Sequence, residues 1–299
     1  VIAAGAEDAP VRVGGLKGPT GMALAHMMTE NDGAYTFTLA GAPTELTGLL
    51  IKGDVDIAAV PVNLGAVLYN KTQGGVKALS LITRGMLYVL EKGDSIHSVA
   101  DLAGKTIVAA GQGSTPEYVM NYILEANGVE ADLDFKSEHA EVTTLALNGL
   151  ADVVLVPEPH VTTLMTKEPA YRKALDITEE FAAAARKKGV ENAQLSMSVV
   201  VVRSEFCAAH PEKVASFMQA LEASIAFANE NVAEAAQEIA EQGIIASAAV
   251  AEKALPSCSL VFISGEEMQA QAAPLYDILF AANPASVGGA APAEDYYVK

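Results

Sequence analysis

Residues Gly53-Asp54-Val55-Asp56-Ile57-Ala58-Ala59-Val60-Pro61 and Gly149-Leu150-Ala151-Asp152-Val153-Val154-Leu155-Val156-Pro157 spell one local structure twice. In each, a glycine stops a helix, an acidic turn follows, four apolar residues make a strand, and a proline opens the exit loop. Four apolar residues without polar alternation suit a strand covered on both faces, as in a parallel sheet flanked by helices. The two stretches lie 96 positions apart, and the same shift carries Gly15 onto Gly111, the glycine that ends the first strand of each round. One offset shared by two landmarks predicts two similar α/β lobes.

Working outward, strand-like and helix-like segments alternate from Val11 onward, the rhythm of an α/β chain with mainly parallel sheets. The first round reads as strand Val11–Gly14, helix Thr20–Glu30, strand Tyr35–Ala40, helix Thr44–Ile51 and strand Ile57–Val60. The second reads as strand Lys105–Ala110, helix Pro116–Asn127, strand Asp134–Ser137, helix Val142–Asn148 and strand Val153–Val156. Two β-rich apolar segments, Val76–Leu90 and Leu195–Val202, flank the second round and are the expected crossings of a two-strand hinge. From Pro211 the pattern turns helical, with Val214, Phe217, Met218, Leu221 and Ile225 on one face. That helical third is expected to pack back on the first lobe. The expected division is therefore residues 1–84 with 200–299 for the first lobe and 85–199 for the second.

Composition excludes several classes of function. The chain has 299 residues, 51% of them apolar, and 19 Lys plus Arg against 37 Asp plus Glu give a net charge of −18. Such apolar content is incompatible with a disordered chain. So acidic a surface repels nucleic acid and anionic membranes, and the longest basic run is Arg186-Lys187-Lys188. The longest apolar stretches are strand-sized, well short of the roughly 20 residues that span a bilayer. The chain starts at Val1 without Met, so a mature or trimmed form is expected, with Val1–Pro10 as a flexible lead-in. The cysteines, Cys207 and Cys258, fall on separate expected helices at neither a CxxC nor a zinc spacing; buried thiols or a disulfide both fit.

In a parallel sheet the ligand crevice lies beyond the carboxyl ends of the strands, where the N–H groups of the following helices face outward. In the first lobe these ends carry Gly15-Leu16-Lys17-Gly18-Pro19-Thr20-Gly21, Gly41-Ala42-Pro43-Thr44 and Pro61-Val62-Asn63. In the second they carry Gly111-Gln112-Gly113-Ser114-Thr115-Pro116 and Pro157-Glu158-Pro159-His160. Glycine lets backbone approach a ligand, Ser and Thr cap helices or donate to it, and proline stiffens the turn. Each loop alone is an ordinary cap and turn; five at equivalent places in two lobes make a clamp. Lys17 is either a solvated amine or a charge partner for an anion. Arg84 either pairs with a core carboxylate or reaches the cleft from the hinge.

Enzyme motifs are mostly missing. The Gly111–Pro116 loop breaks the dinucleotide pattern at its third glycine and lacks the Lys-Ser/Thr of a phosphate loop. His26, His97, His139, His160 and His210 show no metal-ligand spacing, so neither a metal nor another cofactor is expected. His160 beside Glu158 is the one candidate acid or base, against a plain helix-start histidine; Glu158 is better placed as an acceptor for a ligand donor.

Further residues carry a family resemblance. Glu45-Leu46 with Gly53–Ala58, Val99-Ala100-Asp101-Leu102-Ala103-Gly104-Lys105-Thr106-Ile107, Asn148–Asp152 with Pro157-Glu158-Pro159, and His210-Pro211-Glu212-Lys213-Val214 resemble the substrate-binding proteins of bacterial ABC importers, in the nitrate, sulfonate, taurine and pyrimidine-precursor group. A second likeness, to a subgroup, lies in Gly18-Pro19-Thr20-Gly21 and the tail Pro284–Gly289 with Pro292 and Tyr296-Tyr297. The resemblance covers nearly the whole chain. It implies a two-lobed type II periplasmic binding protein fold, closure on a small-molecule ligand, docking on an ABC transporter permease, no catalytic residue, and an extracytoplasmic place with membrane attachment only through a missing leader or lipid anchor. Enzymes on the same fold, of the menaquinone pathway or like the thiamine pyrimidine synthase, and ligand-sensing modules remain alternatives. The expected ligand contacts are Lys17, Gly18, Pro19, Thr20, Gly21, Gly41, Ala42, Pro61, Asn63, Arg84, Gly113, Ser114, Thr115 and Glu158. An anionic or amide-bearing small molecule suits the helix N-termini.

Overall fold

The computed structural model describes residues 9–299, so all but the end of the expected Val1–Pro10 lead-in falls outside the described residues. The first round runs β1 (Val11–Leu16), α1 (Pro19–Thr29), β2 (Tyr35–Ala40), α2 (Pro43–Lys52), β3 (Ile57–Pro61) and α3 (Val62–Lys71). Strands β4 (Val76–Arg84) and β5 (Leu87–Lys92) lead into the second round. It comprises β6 (Thr106–Ala110), α4 (Thr115–Asn127), β7 (Asp132–Lys136), α5 (His139–Leu147), β8 (Val153–Pro157) and α6 (His160–Lys167). Next come β9 (Tyr171–Asp176), α7 (Ile177–Lys187) and β10 (Ser196–Arg203). The last third holds α8 (Ser204–Ala209), α9 (Pro211–Glu230), α10 (Val232–Glu241), α11 (Ala248–Ala254), β11 (Leu260–Ser264) and α12 (Gly265–Ala282).

The shift of 96 holds for whole elements: α1 starts at 19 and α4 at 115, α2 at 43 and α5 at 139, β3 at 57 and β8 at 153. Gly53 and Gly149 both end their helices with positive φ, 77° and 71°, a conformation that glycine enters without the Cβ penalty.

Two mixed sheets result, ordered β11-β4-β10-β3-β1-β2 and β7-β6-β8-β5-β9. The three strands of each round form the parallel part, β2-β1-β3 and β7-β6-β8. Strands β5 and β10, which run against the parallel part of their sheets, are where the chain enters a sheet after each of its two passages between them. Only Gly85 and Met86 separate β4 in the first sheet from β5 in the second. The return enters β10, which pairs with the first sheet from its first residue, Ser196 opposite Arg84 and Ser198 opposite Thr83. The expected border at 199/200 falls inside this strand; Ser196–Val199 pair with the first sheet.

Strand β10 shows why an unbroken apolar run suits this position. Val199 and Val201 sit in one hydrophobic core and Val200 and Val202 in another, all four fully buried. Each contributes on the order of 1.5–3 kcal/mol of burial. The second core joins Met22 and Leu24 of α1 to Phe217, Leu221 and Ile225 of α9, which is how the helical third packs onto the first sheet. Both cysteines are free thiols, Cys207 half-buried on α8 and Cys258 fully buried after a short 3-10 turn rather than on a helix. No described helix is long and apolar enough to cross a membrane.

Candidate ligand cleft

Parallel strands end together. Leu16, Ala40 and Pro61 therefore leave the first sheet on one side, and Ala110, Lys136 and Pro157 leave the second on one side. The two sides face each other, because Thr115 Oγ1 at the start of α4 donates to Asn63 Oδ1 at the start of α3, at 3.2 Å. Both residues are buried. The Asn63 amide is oriented from behind: its Nδ2 donates to the carbonyl of Ser286 at 3.3 Å. One turn along α4, the Tyr118 hydroxyl accepts from Asn283 Nδ2 at 3.3 Å. The segment after α12 thus supports two of the points at which the first sheet's side meets α4.

The remaining expected contacts are placed as follows. Lys17 is exposed and its N–H donates to the Ala40 carbonyl, linking the first two loops. Gly18 takes φ 120° before Pro19 opens α1. Thr20 is buried, and its hydroxyl donates to the Leu16 carbonyl at 3.0 Å and accepts from the Leu16 N–H at 3.1 Å, so local backbone occupies it. A side chain at Gly21 would put Cβ 2.7 Å from the Leu16 carbonyl oxygen. Gly41 and Ala42 are exposed, the Gly41 N–H donating to the Glu45 carboxylate at 3.3 Å. Pro61 precedes α3 as its cap residue. The Gly113 N–H donates to Glu117 Oε2, and the Ser114 hydroxyl to the Gly111 carbonyl, each at 2.5 Å. Arg84 pairs with no core carboxylate; its Nη1 donates to Gln194 Oε1 at 3.1 Å, tying the outgoing crossing to the returning one.

Glu158 is 2% exposed at the end of β8. Oε2 accepts the Thr162 N–H at 3.0 Å, whereas Oε1 has no hydrogen-bond partner and lies 3.7 Å from Lys173 Nζ. That distance gives attraction without a well-formed hydrogen bond. Burial pushes the Glu158 carboxyl up, with Thr162 and Lys173 offsetting part of the shift. Lys173 also donates to Ser257 Oγ at 3.3 Å and sits 4.1 Å over the Tyr88 ring, whose hydroxyl burial pushes up to about 12.

At the starts of α5 and α6, the rings of His139 and His160 lie 5.7 Å apart. Thr143 Oγ1 gives its proton to the His139 carbonyl at 3.0 Å and lies 3.1 Å from His160 Nδ1. The hydroxyl has one proton, so it accepts from His160 Nδ1–H and leaves His160 Nε2 as an acceptor. His139 Nδ1 is buried without a partner, and burial, then His160, pushes its pKa down to about 4. Sequence reading singled out neither His139 nor Tyr88 nor Lys173. The repeat itself carries the signal for His139, which falls at the Pro43 position of the first round, the start of a cleft-facing helix.

Two sheet-centred lobes meeting at the carboxyl ends of their parallel strands and joined by two adjacent crossings make the α/β fold of periplasmic binding proteins. The chain belongs to the NMT1/THI5-like family, whose model matches residues 41–235. Among solved structures it is similar to an ABC transporter protein of Parabacteroides distasonis, at 22% identity and TM-score 0.83, covering 98% of this chain and 99% of that one. It is also similar to the periplasmic aliphatic sulphonate binding protein SsuA of Escherichia coli, at 16% identity and TM-score 0.75 over 97% and 92% of the two chains. A Candida albicans protein described as having the generic periplasmic binding protein fold matches at 15% identity and TM-score 0.57, over 96% and 92%. At these identities the likeness is one of fold. Comparison with curated proteins gives no match.

Proposed function

We propose that the protein is an extracytoplasmic solute receptor that delivers a small molecule to an ABC importer by closing about its two crossings. The observation that carries this reading is the Asn63–Thr115 hydrogen bond, which joins the first turns of two helices belonging to different sheets at the place where both sets of loops converge. The first lobe is built on the six-stranded sheet with residues up to Arg84 and from Ser196 onward, and the second on the stretch between. Ligand would bind one set of loops and the other set would complete its hydrogen bonds, so closure is favoured by contacts made only in the closed state.

The Thr20 and Gly21 N–H groups at the start of α1 and the Thr115 N–H at the start of α4 suit an oxyanion or carbonyl, while the Glu158 oxygen without a hydrogen-bond partner suits a ligand donor. Gly41, Ala42 and Gly113 leave backbone exposed for close approach; Lys17 supplies a cationic group at the rim. In this reading the residues bind and orient cargo without transforming it, the partner is a membrane permease, and the protein works outside the cytoplasmic membrane.

The deciding experiment is native mass spectrometry of the purified protein, followed by a thermal-shift screen of sulfonates, nitrate, pyrimidines and aromatic acids. A cargo at 100 times its Kd stabilises the fold by about 2.7 kcal/mol. Recovery of that cargo unchanged supports a receptor. Conversion of a stabilising compound to a new mass overturns the reading in favour of an enzyme, with His160 and Glu158 the first residues to substitute.

A further inference from the structure

The lobes also touch at β9. Lys173, on the five-stranded sheet, donates through Nζ to Ser257 Oγ at 3.3 Å, and Ser257 belongs to the helical third that packs on the six-stranded sheet. Helix α6, a few residues before Lys173, touches α11, a few residues before Ser257. Glu158 lies inside this contact. Its Oε1 is buried without a hydrogen-bond partner, and Lys173 Nζ stands 3.7 Å away. Cys258, next to Ser257, is fully buried, and burial and then the Glu158 charge push its thiol up, so the carboxylate bears on the other lobe as well.

The exposed Lys173 is thus drawn to a neutral hydroxyl of the facing lobe, while the carboxylate beside it goes without a well-formed bond. An ionised carboxyl so enclosed is costly. Separating the lobes removes both conditions: Ser257 leaves, Lys173 is free to pair with Glu158, and water reaches the carboxylate. No other neighbour does the work of Lys173, which among the described residues is the one cation within ion-pair distance of Glu158. On α6, the Thr162 N–H serves Oε2 alone, and His160 is turned to Thr143. On β5, the Tyr88 hydroxyl is pushed up by burial and stays neutral, with Asp176 and Glu179 near it adding only negative charge.

We propose that closure of the lobes takes up a proton at Glu158, so that the protein closes more readily as the medium turns acid. This rests on the hinge closure proposed above and holds whatever the cargo is. In the open state the hydrated carboxylate beside Lys173 titrates at or below about 4.3. In the closed state burial pushes the carboxyl up. Between the two values closure binds one proton, and each pH unit of acidification favours the closed form by up to about tenfold. Above the closed-state value the closed form bears the full cost of the buried charge.

The test is small-angle X-ray scattering of the full chain without cargo, from about pH 5.5 to about pH 8.5. The parent's radius of gyration is expected to rise with pH as closed molecules give way to open ones. Glu158→Gln keeps the shape without the charge and should stay compact throughout. Ser257→Ala removes the hydroxyl that draws Lys173 away, so Lys173 can bond Glu158 in the closed form and most of the pH dependence should disappear. Melting temperatures confirm that each variant is folded, and Ser257→Ala decides alone if Glu158→Gln is not. A flat parent profile, a parent that opens on acidification, or undiminished pH dependence in either folded variant overturns the inference. Such a failure leaves the receptor reading standing, whereas chemical conversion of a cargo overturns that reading and leaves the proton-linked closure intact.

Discussion

Thr115 Oγ1 and Asn63 Oδ1, 52 residues apart in sequence, form a buried hydrogen bond between the two halves of the molecule. Its donor stands at the first position of α4, and its acceptor in the first turn of α3. Thr115→Val keeps the shape, removes the donor and leaves the amide oxygen buried and unpaired, at a cost of about 1–3 kcal/mol to the closed arrangement. A shift of 1.4 kcal/mol is tenfold in population, so small-angle scattering of Thr115→Val should show a more extended average, and cargo affinity should fall about tenfold. Asn63→Ala with Thr115→Val should cost less than the two singles added. Strict additivity would show that the pair does not couple the lobes.

Asp56 anchors the turn that announced the fold. It is 2% exposed and accepts from Arg12 Nη2 at 2.6 Å, Arg12 Nε at 2.9 Å, the Arg12 N–H at 3.1 Å and Arg203 Nη2 at 3.0 Å. Burial alone would raise its pKa, but the bonds from Arg12 and Arg203 together hold it below the usual carboxylate range. Asp56→Ala should lose about 3 kcal/mol in a denaturant titration. A lowered native pKa means that this contribution is fully present above the unfolded value of about 3.9 and disappears as pH falls through the native pKa. Acid unfolding of Asp56→Ala should therefore lack the steep loss that the parent shows below about pH 4.

Two cleft-facing groups give pH dependences of opposite sign. His139, pushed down to about 4 by burial and by His160, takes fewer protons in the native than in the unfolded protein. Stability is lost as pH falls from about 6.5 towards the native value, on the order of 1–3 kcal/mol. Glu158, pushed up by burial, holds its proton longer in the native protein, so its contribution fades as pH rises from about 4.3 through the native pKa. Melting temperature against pH should flatten on the acid side for His139→Leu, and Glu158→Gln should lose less stability than the parent on going from pH 5 to pH 8. Parallel pH profiles for parent and variants would refute both assignments.

How much of this was legible follows from which residues carry local signals. Gly53 and Gly149 need positive φ, and the four apolar residues after each need burial on both faces, so the parallel part of each sheet is written in the chain. Helix α3 was not legible, because its cap, Pro61, is also the last residue of β3 and no turn residues separate the two elements. Strand β9 was hidden for another reason: at a sheet edge it keeps Arg172 and Lys173 beside buried Tyr171 and Leu175, so its burial pattern is weak. The loops that leave the carboxyl ends of the parallel strands were legible from the strand ends. Their side-chain roles were not, since the Thr20 hydroxyl bonds Leu16 and the Arg84 guanidinium bonds Gln194, partners that only folding supplies.

Gly65 tests whether the segment after α12 shapes the cleft. A Cβ there would stand 2.5 Å from the Tyr296 hydroxyl and 2.7 Å from Val199 Cγ1. Tyr296 is fully buried beside Tyr276, whose hydroxyl donates to the Val62 carbonyl at 3.1 Å. Two effects oppose each other in Gly65→Ala. Alanine gains up to about 1 kcal/mol of helix propensity, whereas overpacking costs about 1–3 kcal/mol. Val199 lies in the centre of β10, between β3 and β4, and is poorly placed to yield, so the clash should win and the melting temperature should fall. Adding Tyr296→Phe removes the nearer atom and should recover part of the loss. Because Ser286 in that segment holds the Asn63 amide, Gly65→Ala should also weaken cargo binding, more than its loss of stability alone would produce. A variant that is less stable but binds cargo with parental affinity would confine the segment's role to the core.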